Sequence, residues 1–326
     1  MKKKFMALAC IVLVVALTCS LFACSKTMFD GRYTKEATAE QAKQAWTSAD
    51  SAVNGTSRSA VSTDNGAIKG WTGMKMEVNS DMNIERTMGD ETFKSAAKTK
   101  ISGAALFDAS AISINGEMSA SNSRTGRDTE TFTMNAGLYV KDNMTYASMA
   151  SKDKTLQFKF ETKSIAAVAF QQVVASVTDT MAEASMELIS AVLDEFDFEM
   201  LAELGIKAYI DDSGDYNRIK FVFSVEAIAE LQDIADEDLA TFKATAAFKE
   251  NSLIIVTDKS NVFQGAKLSI NYAFDGELSE GKAKLSMNAV SSLENIAEVT
   301  DYPKDLDSYK DIKDISINDL EGMFDF

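Results

Sequence analysis

Three serines are each followed three residues later by a lysine: Ser95 and Lys98, Ser151 and Lys154, Ser279 and Lys282. In penicillin-binding enzymes this spacing works because a helix start brings the amine beside the hydroxyl. None of the three pairs falls at a helix start, and on a strand a separation of three sends the two side chains to opposite faces. Asp211, Asp212, Asp215 and Asn217 gather oxygen ligands within seven residues, as a Ca²⁺ site would. Their spacing departs from the EF-hand loop, and polar residues around Ser213-Gly214 are what a hairpin turn requires, so a plain turn is the favoured reading. The chain contains no histidine, which excludes Ser-His-Asp and Cys-His nucleophiles and every imidazole metal ligand. Phosphate-cradling glycine loops and the Gly-x-Ser-x-Gly elbow are missing as well. With 49 acidic residues, some carboxylates meet by chance, so no acid–base pair can be nominated. The expectation is a protein that is not an enzyme, with no catalytic residue, metal or cofactor.

One residue remains with a definite chemistry. Lys2, Lys3 and Lys4 precede 21 uncharged residues, Phe5 to Ser25, and that run ends in Leu21-Phe22-Ala23-Cys24. The ending resembles a bacterial lipobox, in which the cysteine sulfur takes a diacylglyceryl group and the chain is cut before it. A positive start, an apolar middle and a small residue before the cut are the signal-peptide pattern. The alternative is an uncleaved anchor, since about 20 apolar residues suffice to span a bilayer. Cleavage would remove residues 1–23, with Cys10 and Cys19, and leave 303 residues whose one thiol, Cys24, carries the lipid. No disulfide is then possible. The loss of three lysines leaves 30 basic against 49 acidic residues, a net charge of −19 (30 − 49). Such a surface repels phosphate backbones and anionic headgroups, so no nucleic-acid partner is expected and the membrane is held through acyl chains. The expected location is the cell membrane or outer membrane, lipid-anchored and facing away from the cytoplasm.

The elements behind this anchor follow from periodicity. Thr38 with Gln41 has the form of a capping box opening a short helix from Ala39. Gly, Ser, Thr and Asn dominate Gly55 to Gly73, so residues 24–72 divide into a lipidated N-terminus, a short helix and a linker. From Met74 the chain alternates strictly: Met74, Met76, Val78, Met82 and Ile84 share one face, while Lys75, Glu77, Asn79, Asp81, Asn83 and Glu85 share the other. The pattern continues through Phe93 to Ile101, Ile112 to Met118, Phe132 to Val140, Met144 to Tyr146 and Leu156 to Phe160. Asp142-Asn143 is placed as a hairpin turn. From Ser164, apolar residues Phe170, Val174, Val177, Met181, Leu188, Val192 and Phe196 recur at helical spacing. A short helix to Leu204 is expected next, with Gly205 as its C-cap. Strands return at Ile206 to Asp211 and Arg218 to Phe223, and Ser224 caps a further helix to about Ala235. Phe242 to Phe248, Leu253 to Val256, Leu268 to Phe274 and Ala283 to Ala289 are read as strands. Residues 73–298 are therefore an α+β domain: a large, strongly curved antiparallel sheet of about 12 strands, an open half-barrel wrapped around a central amphipathic helical segment. Residues 299–326 form an acidic C-terminal tail, pinned at first and disordered after.

The lipobox, the early helix, the long meander, the hairpin Leu138-Tyr139-Val140-Lys141-Asp142-Asn143-Met144-Thr145-Tyr146, the central helical segment and the Tyr302-Pro303 tail together resemble bacterial lipoproteins of the LolA-like and LppX/LprG-like superfamily. That resemblance implies an open β-barrel with helices across its mouth and, in several members, a cavity that carries lipids between envelope membranes. Residues expected to face inward and to line a hydrophobic ligand are Met74, Met76, Met82, Met118, Phe132, Met134, Phe158, Phe160, Phe170, Met181, Phe221 and Phe223. Flexible, polarizable methionine suits a cavity for varied acyl chains, and it equally suits a core with irregular gaps. The functional expectation is a lipoprotein that binds a lipid or another hydrophobic ligand between sheet and helices. The alternative is a non-catalytic envelope module with a filled core that contacts a protein partner.

Overall fold

The computed structural model describes residues 28–57, 68, 70–108, 110–151, 154–162, 189, 192–196, 198–231, 234, 236–249, 251–278 and 281–315. The first described elements are β1 (Lys35–Glu36) and α1 (Ala39–Ser57), followed by a meander of β2 (Gly73–Met88), β3 (Glu91–Leu106), β4 (Ile112–Arg124), β5 (Glu130–Lys141), β6 (Met144–Ser151) and β7 (Lys154–Glu161). After α2 (Phe198–Glu203) come β8 (Lys207–Asp211) and β9 (Tyr216–Val222), then α3 (Val225–Leu231) and α4 (Asp236–Thr245). The remainder is β10 (Ala247–Phe248), β11 (Ser252–Asp258), β12 (Phe263–Leu278), β13 (Gly281–Ile296) and β14 (Lys310–Asp311).

Among the described residues these strands build one 14-stranded sheet in the order β1-β8-β9-β11-β12-β13-β2-β3-β4-β5-β6-β7-β14, with β10 on β12. The second meander returns so that β13 pairs along the whole of β2, from Lys282 opposite Thr87 to Ile296 opposite Gly73. The sheet is open, with β1 and β14 as its edges. It is also mixed rather than wholly antiparallel, because β14 joins β7 in parallel. That pairing brings a two-residue strand from far along the chain to the sheet edge, a contact too short to leave an alternation.

Local chemistry places the turns and helix ends. Thr38 N–H donates to Gln41 Oε1 at 3.0 Å and Gln41 N–H donates to Thr38 Oγ1 at 3.3 Å, the reciprocal pair of a capping box. Asp142 and Asn143 both have positive φ, 51° and 62°, as a two-residue type I′ hairpin demands. At the end of α2, Gly205 has φ 70° and Ile206 N–H reaches back to the Leu201 carbonyl at 2.8 Å, a Schellman closure. Ser224 Oγ accepts the Ala227 N–H at 3.1 Å and caps α3.

One expected strand is corrected. Of Phe242 to Phe248, only Ala247–Phe248 is extended; residues through Thr245 belong to α4. Leu239, Phe242 and Lys243 stand three and four apart, so Phe242 drops fully buried beside Phe274 and Tyr272 while Lys243 pairs with Glu226 at 2.7 Å.

The main core lies on one face of the sheet. Ala42, Ala45, Trp46, Ala49 and Val53 form the buried stripe of α1, and they pack with Phe221, Leu253, Ile255 and Leu268. The segment expected as a central helix lies mostly outside the described residues; of it, Ile189, Val192, Leu193 and Phe196 are buried in this core. The opposite face is polar except at two flanks. Met28 and Phe29 cover Ile254 and Val256 on β11, and Tyr302, Leu306 and Tyr309 cover Tyr139 and Tyr146 on β5 and β6. The start of the C-terminal tail is held there by Tyr302 Oη donating to the Val140 carbonyl at 2.9 Å and by Lys159 donating to the Asp307 carbonyl at 3.1 Å.

Candidate functional site

Strand register carries a single inner face across the sheet. Met82 stands opposite Met287 and Met76 opposite Leu293. Thr99 faces Met118, which in turn faces Met134, and Phe132 faces Ala120. Phe158 and Phe160 stand opposite Ala147 and Thr145, while Phe221 faces Leu253. The expected inward residues on strands therefore share one side, with Phe223 just beyond β9. Phe170, Met181 and Cys24 lie outside the described residues, and the structure describes Met134 by its backbone alone.

Their surroundings differ. Met74, Met76, Phe221 and Phe223 belong to the main core, where the Trp46 ring meets Phe221 edge-on at 5.1 Å. Met82 is buried in a smaller cluster with Ala97, against which Ile84 packs. On the β3–β7 flank, Phe160 is buried, but Met118, Phe132 and Phe158 are only half-buried.

Between the two halves the inner face carries hydroxyls. Ser80, Thr99 and Ser291 are 2%, 3% and 0% exposed, and their side-chain oxygens have no hydrogen-bond partner. Pairing counted back from Met88 opposite Glu91 puts Ser80 directly across from Thr99, a register kept by the outer-face ion pairs Lys94–Glu85 at 2.9 Å and Lys98–Asp81 at 2.6 Å. Ser80 is level with Ala289 and Ser291 with Val78, so Ser291 is a diagonal neighbour of Ser80. The trio was not among the expected site residues. Its signal was present in the sequence as the gap at position 80 in the apolar series Met74, Met76, Val78, Met82, Ile84.

Grooves lined by described residues open on both faces. One of about 620 Å³ lies over the polar face and is lined by Glu85, Lys94, Asp275 and Lys284 with serines of β4 and β13. A second of about 360 Å³ sits on the same face between Lys100, Glu117 and Gln157. The third, about 470 Å³, lies at the far tips of β2–β5, where Met88 and Phe93 are ringed by Arg86, Arg124, Arg127, Glu91, Asp128 and Glu130. Met88 is 55% exposed there. None of the residues expected to line a ligand lines these three grooves.

Several titratable groups of the polar face are shifted by their surroundings. Burial raises Glu77 and Glu294 above the ordinary carboxylate value, opposed in each by the Lys75 ammonium. Burial, with Tyr309 beside it, pushes the Tyr139 phenol up to about 12. Asp211 is held low by Ser213, whose N–H donates to Oδ1 at 2.9 Å, and its Oδ2 accepts the Arg32 N–H at 2.7 Å. The Asp211 to Asn217 group is thus a turn that also fastens the N-terminal segment, and no cluster able to hold a metal occurs among the described residues. No helix among them is long and apolar enough to cross a membrane.

Comparison with known proteins finds no matching family model and no matching curated protein.

Proposed function

We propose that the chain is a membrane-anchored bacterial lipoprotein that binds an acyl lipid against the inner face of its sheet, with Cys24 as the anchor and a LolA-like open half-barrel curved about the central helical segment. The observation that carries the reading is the divided inner face. One half is packed under α1, and on the other Met118, Phe132 and Phe158 keep part of their surface accessible. A groove with Met88 and Phe93 inside a ring of arginines and carboxylates opens at the far end of that same face, as an entrance for an amphipathic molecule requires.

The test is mass spectrometry of an organic extract from purified chain starting at Ser25, which retains every described residue. A co-purified lipid supports the reading. An empty extract together with no binding of a fluorescent fatty acid overturns it and leaves the protein-interaction module, which the dense packing of Met74, Met76, Phe221 and Phe223 beneath Trp46 would then favour.

A further inference from the structure

Resting on that reading, we infer that Ser80, Thr99 and Ser291 seat an uncharged hydrogen-bonding group of the ligand, the ester or hydroxyl of a neutral acyl lipid. Buried hydroxyls are ordinarily satisfied, because an orphan loses its water without recovering a bond. Three orphans at adjacent positions of β2, β3 and β13 make a concentrated exception. Each hydroxyl can donate one bond and accept others, so together they can serve a carbonyl and a hydroxyl on one molecule.

The surroundings select against charge. The inner-face positions flanking the trio are Val78 and Met82 on β2, Ala97 and Ile101 on β3, and Ala289 and Leu293 on β13. No lysine or arginine stands among them to compensate a carboxylate or phosphate, and burying an unpaired anion is costly. The three oxygens are closed off from solvent, so the ligand reaches them by displacing the side chains that cover this part of the inner face.

The test compares the Ser25 chain with its Ser80→Ala/Thr99→Val/Ser291→Ala variant. Diphenylhexatriene, a hydrocarbon probe without polar groups, is bound first and then displaced by monoolein or by oleate, which share a chain and differ in head group. The variant is expected to bind diphenylhexatriene as the parent does and to bind monoolein roughly ten-fold or more weakly. Oleate should bind the parent progressively less well as pH rises and its carboxyl ionises, while monoolein does not change. Lipid-free, the variant should melt higher than the parent, because orphaned polar groups have been removed. Unchanged monoolein affinity in the variant overturns the seat and leaves lipid binding standing. Failure of the parent to bind diphenylhexatriene and monoolein overturns the lipid reading, and the seat with it.

Discussion

Trp46→Ala tests whether the helix that follows the proposed anchor belongs to the folded body or merely links it to the membrane. Trp46 is 3% exposed, at the centre of the α1 stripe, and its ring meets Phe221 at 5.1 Å and 78°. Truncating a buried aromatic to alanine removes its transfer energy and leaves a cavity, about 3–5 kcal/mol. The edge-on ring pair is a specific part of that, about 0.5–1.5 kcal/mol, and a cycle with Phe221→Ala isolates it. Total stabilities are about 5–15 kcal/mol, so the variant should lose a large fraction of its margin, with a melting temperature lower by roughly 10 °C. Urea unfolding followed by circular dichroism reads the loss as a lower midpoint at unchanged slope. Gln44→Ala, on the exposed side of the same helix, should stay within about 0.5 kcal/mol of the parent. A cost below about 1 kcal/mol for Trp46→Ala would refute the reasoning, since no buried tryptophan in a well-packed core is that cheap to remove.

Other expectations follow from single sites. Gly137→Ala places a Cβ against the Tyr139 hydroxyl and Ser148 Oγ, and should destabilise by about 1–3 kcal/mol in the same urea assay. Because the folded state raises the Tyr139 phenol to about 12, a spectrophotometric titration should find a late-ionising tyrosine that the Tyr139→Phe variant lacks; stability should fall as pH climbs past about 10, the free-phenol value, and Tyr139→Phe should lessen that fall. Glu77 and Glu294 are raised in the fold, so the folded protein holds those protons more tightly. They cost stability above their folded values and the cost disappears as pH falls toward 4.5, so the Glu77→Gln/Glu294→Gln variant should gain more at pH 7 than at pH 4.5 in thermal melts. Cys24→Ser should abolish incorporation of labelled palmitate in bacterial cells; undiminished labelling would place the lipid elsewhere.

What could be read from the residues was what is local. Alternation from Met74 onward marks strands, and Thr38/Gln41, Asp142-Asn143, Gly205 and Ser224 mark ends through bonds made within a few residues. The features missed are those that depend on distant chain. Two residues of β14 pair with β7 in a tail that Tyr302 and Lys159 help to hold at that edge. Phe29 and Tyr309 sit in aperiodic sequence, yet each covers an apolar patch on the otherwise polar face. Phe242 followed helix rather than strand because its partners, Phe274 and Tyr272, lie about thirty residues on, where short-range propensity carries no information. The hydroxyl trio belongs to the same class: each serine or threonine alone is unremarkable in a strand, and only the pairing of β13, β2 and β3 makes them neighbours.

The N-terminal segment also bears on what kind of lipid handling the fold can support. Arg218 Nε donates to the Met28 carbonyl at 2.6 Å, and Phe29 is buried against Ile254 and Val256. Three residues lie between Cys24 and Met28, a span of at most about 14 Å of extended chain. If Cys24 carries the lipid proposed for it, the β9–β11 side of the sheet sits within that reach of the bilayer. The Gly/Ser-rich stretch cannot lengthen the tether, because it follows α1, and α1 is already packed into the core. A body held so closely would not ferry cargo to a second membrane while anchored. Exchange would then take place with the leaflet that holds the anchor, and any onward transfer would need a partner that comes to the protein.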